Sequence, residues 1–210
     1  MITVFVDGFF VSPLDASVIV ALEEKRVEYQ TARALLRDGQ GVPPSLAQQV
    51  TIARVPAIQH GDFFLTESLA IIDYLDQVFP TPPLFPPDPR ARARCKQVMA
   101  YLRFDLQALR DERQWWTVVY PGTALPPLTA RAHREADELI SIATRFVPQL
   151  GPFSIAHADL ALQLMRLSRN EFPIPSVLSD FIETTLARPS VRAYIEHPRP
   201  PNPPTRFTTG

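Results

Sequence analysis

The sequence predicts a small α/β domain followed by an all-helical domain. Three observations predict it. Up to about Phe79, short apolar strand-like runs alternate with runs of helical period. Pro80–Pro89, PTPPLFPPDP, is too rich in proline for the interior of either element. Beyond it, every apolar stripe recurs at three- and four-residue spacing. The expected boundaries are 1–80 for the α/β domain, 81–89 for a stiff linker that holds the domains in fixed relation, and 90–210 for the helical domain.

Composition narrows the function classes. With 210 residues, 46% of them apolar, the chain can bury a sizeable core. A formal net charge of −1 gives no whole-molecule field for nucleic acid or an anionic membrane, and neither is expected as a partner. The lone Cys95 excludes an internal disulfide framework and a Cys-x-x-Cys pair, which points to a reducing, cytoplasmic setting. It falls inside a helix, where a buried thiol is inert. Met1–Val6 runs straight into a strand with no basic region before it, so no secretory leader is expected. No apolar run approaches the roughly 18 residues of a membrane span. His60, His133, His157 and His197 show no ligand spacing with the cysteine, so no metal is expected, and the glycines form no phosphate loop.

Ile2–Val6 is apolar almost throughout and reads as a strand buried on both faces. Ser12 is placed to cap a helix with Pro13 in its first turn, running to about Lys25 with Val18, Ala21 and Leu22 inward. A second strand falls within Val27–Leu35, and strand–helix–strand order favours a right-handed crossover. Asp38–Gln49 reads as a loop with a short helix. After the Val55-Pro56 step come a strand at Ala57–Gln59, a turn at His60–Asp62 and a strand at Phe63–Leu65. Thr66 is expected to cap the next helix, which carries Ile71, Ile72, Leu75, Val78 and Phe79 inward and Glu67, Asp73 and Asp76 outward.

In the second domain one long helix is expected over Arg90–Arg113, with Ala91, Val98, Leu102, Leu106 and Leu109 as its stripe. Trp115–Pro127 reads as a loop. Thr129 caps a helix with Ala132, Ala136, Leu139, Ile140, Ala143 and Phe146 on one side. Ser154 caps another, Ile155 to about Leu167, apolar on nearly all faces and therefore central. Helices over Val177–Leu186 and Ser190–Ile195 follow, then an extended tail.

Several residues carry chemistry or merely cap, and their types alone leave both readings open. A thiolate placed at Ser12 meets free backbone N–H groups, the helix dipole and a hydroxyl, all of which lower a thiol pKa. At Glu67-Ser68 a helix start and a hydroxyl suit a carboxylate, and Glu67 suits an ammonium. The backbone of Val55, held by Pro56, can pair with a peptide-like ligand as an added strand. Arg54 reads as a further contact or as a solvated cation. Asp105 lies at the edge of an apolar stripe and needs a partner. Tyr101, Trp115, Trp116 and Tyr120 read as a pocket wall or as core.

The Val55-Pro56 step, the strand–turn–strand after it and Glu67-Ser68 resemble the second half of the thioredoxin-like domain of cytosolic glutathione transferases. Phe10-Val11-Ser12-Pro13, Ser17 and Ala21–Lys25 resemble the first helix of the bacterial, serine-type members, and the resemblance extends to about His197. It implies a glutathione-binding first domain, with Ser12, or less well Ser17, stabilising the thiolate of glutathione, here a cosubstrate. It assigns the γ-glutamyl end to Glu67 and Ser68 and the cysteinyl backbone to Val55 and Pro56. It implies a small apolar second substrate, and a homodimer in which an acid such as Asp105 reaches the neighbouring subunit's ligand. Conjugation, peroxide or disulfide reduction, and a non-catalytic binding module are all compatible with this set. The loop Asp38–Gln49 offers only Gln40, Gln48 and Gln49 as further contacts. At the central helix the family's acid three residues after the capping serine is replaced by His157, with Asp159 two later.

Overall fold

β-Branched and aromatic residues at Ile2–Asp7 (β1) make the centre of a four-stranded sheet of order β2-β1-β3-β4. The structure is a computed structural model and describes residues 1–34, 42–120 and 125–201. Strand β1 pairs in parallel with Tyr29–Ala34 (β2) and antiparallel with Ala57–His60 (β3), which forms a hairpin with Phe63–Thr66 (β4). The turn of that hairpin is Gly61-Asp62, with Gly61 at φ +64°, where glycine is not strained. Both faces of β1 are buried. Ile2, Val4 and Val6 share one, while Phe5 joins Ala57, Val42 and Leu46 in a cluster on the other.

Helix α1 spans Pro13–Lys25 and packs against α3, Ser68–Val78; the four-residue Pro44–Ala47 (α2) brings Leu46 into the Phe5 cluster. Two expectations for α3 need correction. Thr66 is not its cap: it is the last residue of β4, paired with Ala57, and the cap position falls to Glu67 at φ +71°. The ladder holds Thr66 extended, so the chain turns one residue later. The inward stripe is also shifted. Val78 is 43% exposed while Asp76 is buried, because Asp76 is bound by Lys25 and by the N–H of Leu84.

Met1–Leu84 together with the chain from Glu196 form one compact unit, and Phe85–Ile195 form the second. In the second unit the expected long helix is two. Pro89–Phe104 (α4) ends where the Asp105 N–H meets Tyr101 O, and Gln107–Glu112 (α5) begins after Leu106 at φ +60°. Leu102, Leu106 and Leu109 are all buried across this break, so the apolar spacing survives it. Asp105 is thereby left exposed at a helix end rather than at a buried edge.

Within the expected loop, Trp116–Val119 forms a short helix, α6. Ala130–Phe146 (α7) is capped by Thr129, whose hydroxyl accepts from Ala132 N at 3.3 Å. Ile155–Arg169 (α8) is buried nearly all round and packs on α4, α6, α7 and Ser176–Leu186 (α9); Pro189–Ile195 (α10) closes the unit. The start of α8 keeps a complete capping box without an acid. His157 Nδ1 accepts the Ser154 N–H at 3.0 Å, because neutral imidazole offers the lone pair a carboxylate would. Asp159 instead binds Arg103 at 2.5 Å.

Candidate functional site

Sheet register gathers the first unit's candidate residues. Phe5, Ala57 and Thr66 lie in one row across β1, β3 and β4. Strand β1 runs out past that row, β3 starts from it, and β4 ends on it. The segments Asp7–Ser12, Val55-Pro56 and Glu67-Ser68 therefore all leave the same end of the sheet. Two strand spacings, about 10 Å, separate β1 from β4. Helices α1 and α3 both begin there, so two sets of unpaired N–H groups and two positive dipole ends share that end.

The loop before α1 is built on two aspartates. Asp7 Oδ1 accepts from Phe9 N at 3.0 Å and its Oδ2 from Val11 N at 2.7 Å, while Asp7 N donates to Asp15 Oδ2 at 2.7 Å. Ser12 is half-buried, and its Oγ accepts from Asp15 N at 3.2 Å as the cap of α1. Burial, and next the charge of Asp7, push the Asp15 carboxyl well above the usual carboxylate range; its Oδ1 is buried with no hydrogen-bond partner. Ser17 is buried one turn further on and donates to Pro13 O at 3.1 Å.

The Val55-Pro56 peptide is cis, with Val55 half-buried and Pro56 buried. At β4's end, Ser68 is 4% exposed as the first residue of α3, and Glu67 keeps 43% of its side chain exposed. Arg54 Nη1 lies 3.2 Å from Glu67 Oε1, an exposed pair. Gln48 and Gln49 are exposed after α2, and Gln40 lies outside the described residues.

Sequence reasoning missed what supports this loop from the far end of the chain. Phe10 sits at φ +53°, His197 stacks on its ring at 3.8 Å, and Arg199 Nε donates to its carbonyl at 3.0 Å. No local pattern announces a contact 189 residues apart. In the second unit Trp115 and Trp116 are each 4% exposed, and Tyr101 is half-buried. Burial, then Glu138, Asp105 and Glu135, raise the Tyr101 phenol. Cys95 is buried, with Sγ 3.6 Å from Ser154 Oγ. Among the described residues no three His, Cys, Asp or Glu side chains are placed to hold a metal ion, and no helix is long and apolar enough to cross a membrane.

Comparison with known proteins extends over both units. Residues 7–77 match the family model "Glutathione S-transferase, N-terminal domain", and residues 88–198 match "Glutathione S-transferase, C-terminal domain". The glutathione S-transferase theta-3 of Mus musculus is 30% identical over 115 residues, 53% of this chain and 48% of that protein. The stringent starvation protein A homolog of Pasteurella multocida is 29% identical over 157 residues, 75% of this chain and 62% of that one. The chain thus spans about half the length of the theta relatives it matches. A glutathione transferase homolog from Burkholderia gl BGR1, solved with bound glutathione, aligns with a TM-score of 0.75 at 30% identity. It covers 93% of this chain and 96% of that structure.

Proposed function

Because this chain belongs to the glutathione S-transferase family, we propose that it binds glutathione on its first unit and uses the thiolate against a small apolar electrophile. The observation that carries this reading is the convergence of Ser12, Val55-Pro56 and Glu67-Ser68 at one end of the sheet. In this reading Glu67 meets the γ-glutamyl ammonium and Ser68, with the first N–H groups of α3, meets its carboxylate. Val55 pairs with the cysteinyl backbone as an added strand, with Pro56 shaping that edge, and Arg54 supports Glu67.

The sulfur then lies toward the start of α1. There the Ser12 hydroxyl and the helix dipole favour thiolate over thiol. The thiolate attacks an electrophilic carbon, a C–S bond forms, and the leaving group departs with its electron pair; an acceptor without a leaving group takes a proton instead. The bound glutathione seen in the Burkholderia homolog supports the ligand class.

The test is calorimetric titration of the purified chain with glutathione. Saturable heat, weakened in a Glu67→Ala, Ser68→Ala double variant, is expected; absence of heat up to several times typical millimolar substrate constants would refute the reading. Electrophile, hydroperoxide and mixed-disulfide assays run side by side then assign the reaction, since one thiolate serves all three. A second reading, a binding module without turnover, is favoured by the likeness to the stringent starvation protein A homolog, whose name carries no transferase activity. Glutathione binding with none of the three turnovers would select it. The reading also carries a cytoplasmic setting and a homodimer. Sedimentation showing only monomer at micromolar concentration would remove the dimer.

A further inference from the structure

The second unit holds a buried guanidinium that no acceptor serves. Arg166, on α8, is 2% exposed, and its Nε and Nη1 are buried without a hydrogen-bond partner. An unpaired buried charge is among the largest single penalties a fold can carry. Nearby charge adds to it. Burial, and then repulsion by Arg110, lower the Arg166 guanidinium to about 9.

The neighbouring carboxylates are engaged elsewhere. Asp159 lies seven residues earlier on α8 and shares its face, but stands two turns, about 10 Å, away and is bound by Arg103. Glu112 accepts from Thr129, and Glu135 accepts from Leu109 N and Arg131. The other arginines are served without Arg166's help. Arg110 donates to the Arg103 carbonyl and Gln107 Oε1, and Arg113 to the carbonyls of Glu112 and Pro126. Beside Arg166 stands a second donor of the same kind. The Trp115 ring centroid is 6.0 Å from the guanidinium carbon, and its buried Nε1 has no partner either.

Two neighbouring side chains with donors and no acceptor describe a site that lacks its acceptor. We propose that Arg166 and Trp115 form an anion-binding site in the helical unit, and that its ligand is a small monoanionic carboxylate. The uncompensated charge is one unit. A planar carboxylate matches a guanidinium in a two-point hydrogen bond, and the indole adds a donor and an apolar face for the rest of the molecule. The inference is independent of the glutathione reading: both residues belong to the second unit, and the test uses no glutathione.

The test titrates the full chain with cyclohexanecarboxylate, and with neutral cyclohexanecarboxamide as the control of the same shape, at constant ionic strength. Saturable heat is expected for the carboxylate alone, with a change in Trp115 fluorescence. Arg166→Met should weaken binding at least about tenfold, and Arg166→Lys, which keeps charge without the fork, by less. Unliganded Arg166→Met should melt higher than the wild type, since the unpaired charge is gone. No saturable heat up to the probe's solubility limit, equal affinity for the amide, or full affinity in Arg166→Met would each overturn the proposal. If Arg166→Met fails to fold, the wild-type contrast between acid and amide and the Arg166→Lys affinity decide it.

Discussion

Lys25 Nζ lies 2.7 Å from Asp76 Oδ1, with the two side chains 0% and 6% exposed. The pair joins the last turn of α1 to α3. Lys25 also donates to Pro82 O at 2.6 Å, and Asp76 Oδ1 accepts from Leu84 N at 2.8 Å. Removing one partner strands the other charge in the interior. Lys25→Met is expected to cost about 3–5 kcal/mol in denaturant unfolding, and adding Asp76→Leu should recover part of it. An equal loss in the single and double variants would show that the stranded carboxylate is not the cause.

Glu67 separates stability from binding. At φ +71° and ψ 111° it holds a conformation that glycine adopts freely and a side chain adopts at a cost of about 1–3 kcal/mol. Glu67→Gly is expected to raise the melting temperature while weakening glutathione binding. Glu67→Ala should weaken binding without the gain. Stability lost in the glycine variant would mean that the Arg54 contact outweighs the backbone strain.

Ser12 has two roles that one substitution reads at different instruments. Loss of the cap in Ser12→Ala should lower stability by about 1 kcal/mol. If the hydroxyl also holds the thiolate, kcat should fall by about a hundredfold, the scale of one lost oxyanion donor, with glutathione affinity nearly unchanged. The thiol pKa of bound glutathione, followed by thiolate absorbance, should rise. Ser17, committed to Pro13 O, is the control, and Ser17→Ala should leave turnover intact. Full activity in Ser12→Ala would confine Ser12 to capping.

His157 makes the cap of α8 sensitive to pH. Burial, opposed by its hydrogen bond with Ser154, lowers the imidazole below its ordinary 6.5. A base whose pKa is lower in the folded chain contributes stability that is present above the unfolded value and is lost as pH falls from 6.5 through the folded value. Unfolding measured from pH 8 down to pH 5 should therefore show a drop in the wild type that is smaller in His157→Gln. Parallel profiles for the two proteins would place that pH dependence elsewhere.

Local signals made much of this chain legible. Ser12 and Thr129 cap the helices their positions announce, Gly61-Asp62 makes the expected hairpin turn, and α8 is as buried as its composition implies. The Leu106 break was not legible, because Leu102, Leu106 and Leu109 keep helical spacing through a residue at φ +60°, and no glycine or proline marks it. Nor was the burial of Asp76, whose partner lies 51 residues earlier. Thr66 has the side chain of a good cap, yet its place in the β3–β4 ladder outweighs that preference.

By itself the sequence determined the order of elements, the two-part division and the segments from which a site could be built. Those rest on periodicity, capping and turn chemistry, interactions among residues close along the chain. The tertiary structure decided which of those segments meet. The register of Phe5, Ala57 and Thr66 brings Ser12, Val55-Pro56 and Glu67-Ser68 to one end of the sheet. It also decided which charges are satisfied: Lys25 by Asp76, Arg103 by Asp159, and Arg166 by no acceptor among the described residues. A charge is stabilised by what burial sets beside it, and that neighbour comes from a distant part of the chain.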